Sequence, residues 1–178
     1  MNTIADSSSL IVLAQLDALW LLTRVCRSVI ITATVEHETV TQGLARGYVD
    51  AQRLQEAMAA GRITVITPSA AERRLAQTWQ RAMPALSHAD CQTLACARER
   101  GLTLIMEEQR GRNLAVTQGI QYVTMQVLPL HGFVRAQLTF VECDDLLRRV
   151  GQVMRTDTAV VTVLRAAAQE IERLRTTR

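Results

Sequence analysis

The sequence predicts an α/β fold: a single domain with a central parallel sheet of about five strands flanked by helices, and a helical extension at the C-terminus. Two observations carry that expectation. Short apolar, β-branched runs such as 28–32 and 102–106 alternate with longer segments of helical period. Alternation of this kind is the pattern of parallel strands joined by helical crossovers. Acids also fall where strands end, Asp6 after the first run and Glu107 and Glu108 after the fourth; open α/β sheets gather their chemistry at that edge.

In order, 2–5 reads as a short strand, and Asp6 and three serines lead into a helix over 10–26, with Leu10, Leu13, Leu16, Leu21 and Leu22 near the helical period. The second strand is 28–32. Thr32 or Thr34 then caps a helix carrying Val35, Glu36, His37, Glu38 and Val40. An amphipathic helix over 48–60 ends at Gly61, a glycine suited to the position after a helix. The alternating stretch 62–67 is strand three, and Pro68 and Ser69 open a helix over 70–81. Met83, Pro84 and Ala85 break it.

Ser87 and Asp90 fit a capping box before a helix over 91–100 that ends at Gly101. The run 102–106, polar only at Thr103, is strand four and is expected to be the most central. A short helix over 113–118, ended by Gly119, precedes strand five at 120–123. Thr124 caps a helix in which Pro129 falls early, where a missing amide costs little. The run 138–141 could take either state. Helices over 144–154 and 157–175 close the chain, the last with a stripe of Val160, Leu164, Ala167, Ile171 and Leu174 for the body of the domain, a partner or a twin subunit.

The 178 residues make one compact domain long enough to bury a core. With 48% apolar but only 3% aromatic residues, that core is built from Leu, Val, Ile and Ala, and broad aromatic stacking on single-stranded nucleic acid is disfavoured. The net charge is +3, and all 20 basic residues are Arg. The surface is therefore rich in planar donors suited to phosphate and carboxylate. Cys26, Cys91, Cys96 and Cys143 show no C-x-x-C spacing, so reduced, buried thiols are expected; His88 and Cys91 lack a second pair at zinc spacing. No basic-then-apolar leader is evident, and the longest apolar run, 10–22, is interrupted by Gln15 and Asp17. A cytoplasmic protein without a membrane span is expected.

Each acid has two readings. Asp6 can be a capping acid, stabilised by roughly 0.3–1 kcal/mol at a helix N-terminus, or part of a site. Asp90 can be the acid of its capping box, and generic topology leaves open whether its helix starts near the same sheet edge. If Asp6, Glu38, Asp90 and the Glu107–Glu108 pair converge, repulsion matters: two carboxylates about 4 Å apart repel by roughly 1 kcal/mol in water and about 4 at an effective dielectric near 20. Such a cluster needs a cation or raised pKa values. With oxygen donors alone, the cation is Mg²⁺ or Mn²⁺, whose chemistry suits phosphodiester hydrolysis.

The order and spacing of several landmarks resemble the PIN domain family over roughly residues 3–140. They are Ile4 to Leu10 around Asp6, the strand-to-helix segment 29–40 with Glu38, the helix from Asp90 with its small residues Ala95 and Ala97, and Leu104 to Arg112 before a short helix and Gly119. The layout is especially similar to a VapC-type or related prokaryotic branch. The resemblance implies a nuclease domain over 1–140, with a C-terminal helical extension over 141–178 packed on the same domain or on a partner. It implies a metal-dependent endoribonuclease cutting RNA, the toxin of a toxin-antitoxin pair, with a small antitoxin protein as partner and a homodimer as assembly.

By the same resemblance, Asp6, Glu38, Asp90 and Glu108 are the catalytic acids, Asp6, Asp90, Glu108 and Glu107 the metal ligands, and Ser7 a support for Asp6 or a metal-bound water. Arg110 and Arg112 contact RNA phosphates or pair with Glu107 or Glu108. The family usually carries Asp where this chain has Glu107 and Glu108; one added methylene shifts a carboxylate by about a bond length, and misplacement near 1 Å can cost on the order of 100-fold in rate. A catalytically degenerate PIN fold acting as a binding or assembly module is therefore the alternative. A phosphatase or sugar hydrolase using paired carboxylates has no supporting motif.

Overall fold

The computed structural model describes residues 1–177. Its sheet is five-stranded and all parallel, from β1 (Asn2–Ala5), β2 (Ser28–Thr32), β3 (Thr64–Ile66), β4 (Thr103–Ile105) and β5 (Tyr122–Val123), in the order β3-β2-β1-β4-β5. The helices are α1 (Ser7–Gln15), α2 (Trp20–Val25), α3 (Ala33–Glu36), α4 (Gln42–Ala45), α5 (Val49–Ala59), α6 (Ala70–Ala82), α7 (His88–Arg100), α8 (Gln109–Thr117), α9 (Leu128–Val134), α10 (Phe140–Val153) and α11 (Thr158–Thr176), with a π-helical turn at His37–Thr41 between α3 and α4. The expected α/β architecture with a parallel sheet is what forms.

β1, rather than β4, is the central strand. Apolar content misled here because β4 is itself interior, paired on both sides; β1 is equally buried but ends in Asp6. Register does the positioning. Ala5 pairs with Ile105, so Asp6 and the residues after Ile105 leave the sheet at the same edge. The order reverses direction at β1, with β2 on one side and β4 on the other, and such a switch point is where an open α/β sheet leaves a crevice.

The expected helix over 10–26 is two helices. Asp17 adopts a left-handed φ of 53°, and Ala18 and Asp17 donate their amides to Leu13 and Ala14 at 2.8 and 3.1 Å, a Schellman closure that stops α1. Asp is one of the few residues that tolerate this conformation. α8 starts at Gln109, earlier than 113, because the Glu108 side chain caps it. Gly111 lies inside that helix, and a Cβ there would run into the Met106 thioether, so a larger residue would force that side chain to move. α10 likewise begins at Phe140, earlier than 144, through a capping box of Thr139 and Glu142. Thr124 does not cap α9, whose first turn follows Val127 with no side-chain cap and contains Pro129 as expected.

The chain divides into two compact units, 1–123 and 124 onward. In the first, Ile4, Leu94, Ala95, Cys96, Leu104, Met106 and Ala115 are among the residues that form a buried aliphatic core around the sheet. In the second, α9, α10 and α11 pack with Phe133 buried, its ring edge-on to Phe140 at 6.1 Å, and the Arg165 guanidinium forks onto Asp144 at 2.6 and 3.0 Å. The expected extension over 141–178 ends on Arg178, which lies outside the described residues. All four cysteines are free and buried. Burial pushes the Cys91 thiol up to about 11 and those of Cys96 and Cys143 up to about 12, so they stay protonated near neutrality. Among the described residues no helix is long and apolar enough to cross a membrane.

Candidate active site at the sheet edge

Asp6 follows β1 with extended backbone (φ −80°, ψ 169°) and caps α1. One carboxylate oxygen accepts the Ser9 amide at 2.8 Å and the other the Glu107 amide at 2.9 Å. The second bond spans the sheet edge and ties the β4–α8 turn to the end of β1. The residue is 1% exposed. Burial raises its carboxyl above the ordinary 3.8; the Ser9 hydroxyl, which lies near without forming an aligned hydrogen bond, and the two amides pull down, and the charge of Asp90 adds to the rise. Capping and site are thus not alternatives for Asp6. It caps, and it is also a buried acid with an acidic neighbour.

The Thr34 hydroxyl, just past the end of β2, reaches Gln92 on α7 at 2.7 Å, which sets the first turns of α7, and Asp90 with them, at the same edge. Ser87 caps α7: its hydroxyl accepts the Asp90 amide at 3.0 Å and donates to the Asp90 carboxylate at 2.8 Å. Glu38 lies in the π-helical turn, and the Ser7 hydroxyl donates to it at 2.7 Å. Ser7 therefore holds Glu38 and not Asp6, which links the helix after β2 to the residue next to Asp6. Single π-turns inside helices recur at functional sites.

The β4–α8 turn is arranged differently. Glu107 contributes its amide to Asp6 and its carbonyl to the Arg112 guanidinium. The Glu108 carboxylate turns onto its own helix and accepts the Arg110 amide at 3.2 Å. Arg110 is exposed, and Arg112 is half-buried against main chain. Hydrogen bonds thus join Asp6 to the Glu107 backbone and Glu38 to Ser7, Asp90 is held by Ser87 and acts on Asp6 only through its charge, and Glu108 caps α8. Among the described residues no three His, Cys, Asp or Glu side chains gather closely enough to hold a metal ion. The donors at this edge are nonetheless carboxylates and hydroxyls, the set that suits a hard divalent cation.

Sequence reasoning missed a polar chain beside this edge. Thr34, in the first turn after β2, donates its hydroxyl to Gln92 Oε1 at 2.7 Å; Gln92 Nε2 lies 2.8 Å from His88 Nε2, and His88 Nδ1 lies 2.8 Å from Gln80 Oε1. The available signal was slight: one glutamine among the small and apolar residues of 91–97.

Compared with known proteins, residues 2–130 match a family model, DUF3368, described as a PIN domain. No curated protein sequence matches the chain.

Proposed function

The chain belongs to the PIN domain family, and on that premise we propose that it is a metal-dependent endoribonuclease. PIN domains are generally nucleases that act on nucleic acid with divalent metals. The observation that carries the finer reading is Asp6, a fully buried carboxylate at the topological switch point whose ionisation is opposed first by burial and further by the charge of Asp90. Mg²⁺ or Mn²⁺ would be held by Asp6 and Asp90, with Glu38 and the side chains of Glu107 and Glu108 as the further acids. When bound, such an ion makes a water more acidic and neutralises charge on a phosphoryl oxygen.

The chain's own groups do the rest. The Ser9 and Glu107 amides fix both Asp6 oxygens, Ser7 fixes Glu38, and Ser87 fixes Asp90. Glu38 would take a proton from the attacking water, and exposed Arg110 would meet the RNA backbone, with Arg112 bracing the turn that carries it. In this reading residues 1–140 carry the nuclease in the cytoplasm, as the toxin of a pair with a small antitoxin protein, and the helices from 141 onward serve a homodimer or that partner. Cleavage of a structured RNA pool in Mn²⁺ should be lost in Asp6→Asn and Asp90→Asn. Equal activity of both with wild type would remove the reading.

One observation favours a second reading, a PIN fold that binds or assembles without cutting: Glu108 is committed to capping α8. Calorimetry separates the two, because a module without a working site should show no Asp6-dependent uptake of Mn²⁺.

A further inference from the structure

We propose that Gln92 is a positioning residue of this site: its side-chain amide sets α7, and with it Asp90, against the segment after β2 that carries Glu38. The inference rests on the nuclease reading and deepens it. Gln92 is 7% exposed and lies two residues beyond Asp90. A buried primary amide must find partners for both its ends. Here its oxygen accepts Thr34 Oγ1 at 2.7 Å and its nitrogen reaches His88 Nε2 at 2.8 Å.

The donor sense of the whole chain is consistent. Gln80 Oε1 can only accept, so His88 Nδ1 carries the ring proton and Nε2 is left to accept from Gln92. The Gln92 oxygen is then free for the Thr34 hydroxyl. A single line of matched hydrogen bonds therefore joins α6 through Gln80, the first turn of α7 through His88, and α3 through Thr34. Asp90 lies between the two α7 residues of that line. α3 runs directly into the π-turn that presents Glu38 to Ser7.

Neither Thr34 nor Gln92 adds a charge or a ligand; each fixes the helix that bears one. Sites of this kind depend on such outer support, and losing one supporting partner typically costs about 10- to 100-fold in metal affinity or activity. Thr34 and Gln92 act through one shared bond, so their effects should not add.

The test measures Mn²⁺ affinity by calorimetry on the whole chain, with thermal unfolding of each variant alongside. Thr34→Val and Gln92→Met keep shape and remove the bond; Thr34→Ser keeps the hydroxyl; Asp6→Asn defines site-specific binding. We expect Thr34→Val and Gln92→Met each to weaken Mn²⁺ binding about 10-fold or more, the double variant to be no weaker than either single, and Thr34→Ser to bind as wild type. If Gln92→Met fails to fold, Thr34→Val against Thr34→Ser carries the test. Wild-type Mn²⁺ affinity in Thr34→Val, or equal weakening in Thr34→Val and Thr34→Ser, overturns the positioning role while the nuclease reading stands. Absence of any Asp6-dependent Mn²⁺ binding in wild type overturns both.

Discussion

Glu72 and Asp6 are almost equally hidden from solvent, at 3% and 1% exposure, but Asp6 lies deeper in the protein and the two sit in opposite electrostatic settings. Glu72 caps α6 in a capping box with Ser69 and takes the Arg100 guanidinium on both oxygens, at 2.5 and 2.8 Å. Arg100 holds its carboxyl down at about 2, below the ordinary 4.5. Asp6 also caps a helix, yet it receives amides in place of a guanidinium, and burial with Asp90 nearby moves its carboxyl up. Burial alone therefore says little about function. A buried acid that brings its own counter-ion is a clamp, here joining α6 to α7. One left with amides and an acidic neighbour has no counter-ion of its own, which is what the metal site proposed above would use.

The comparison can be broken most forcefully at the clamp. Arg100→Met strands the Glu72 charge and should cost about 3 kcal/mol in urea unfolding, the low end for a buried pair because a third of the Arg100 side chain reaches water. A loss close to zero would mean that Glu72 is protonated or rehydrated, and the contrast with Asp6 would fall. At the other acid, Asp6→Asn should lower RNA cleavage in Mn²⁺ by more than the about 10- to 100-fold typical for a mere supporting residue, since the proposed ligand itself is removed. Glu72→Gln should leave the rate per folded molecule unchanged.

Acid titration sharpens the contrast through its sign. The folded Glu72 carboxyl lies below its ordinary value, so its contribution is full above 4.5 and drains as pH falls toward about 2. The folded Asp6 carboxyl lies above 3.8, so its contribution is present below that value and is lost as pH rises through the folded one. Urea midpoints followed through the acid range should therefore fall less steeply with acid in Glu72→Gln than in wild type. In Asp6→Asn they should fall more steeply. Added Mn²⁺ should raise the wild-type midpoint at neutral pH and leave that of Asp6→Asn in place.

Smaller effects test the scaffolding around each acid. Ser69→Ala removes one cap bond but leaves Arg100 on Glu72, and should cost about 1 kcal/mol. Arg173→Ala, at the exposed pair with Glu170 on α11, should leave the midpoint unchanged. A measurable loss there would show that α11 depends on surface charge more than on its packing.

Much of this was legible in the residues. Strand positions followed from short β-branched runs, and the caps at Ser69, Ser87 and Gly101 from local chemistry that needs no tertiary partner. Asp6 and Asp90 could be singled out because they fall at a strand end and a helix start, and Glu38, a turn or two into its helix, through the resemblance to the PIN family. Boundaries failed where a side chain overrode the periodic signal, as at Asp17, which ends α1, and Glu108, which starts α8 early. The bond from Ser7 to Glu38 spans 31 residues and that from Thr34 to Gln92 spans 58, distances at which no local pattern speaks.

By itself, then, the sequence determined the alternation of strands and helices and the acids' positions along it, because hydrophobic period and capping act within a few residues. The structure alone decided that β1 is central, that the amide of Glu107 and not a guanidinium meets Asp6, and that the buried Glu72 does receive one. Those are outcomes of register and packing between elements far apart in the chain. The same buried carboxylate becomes a clamp or a candidate site according to which neighbour they bring.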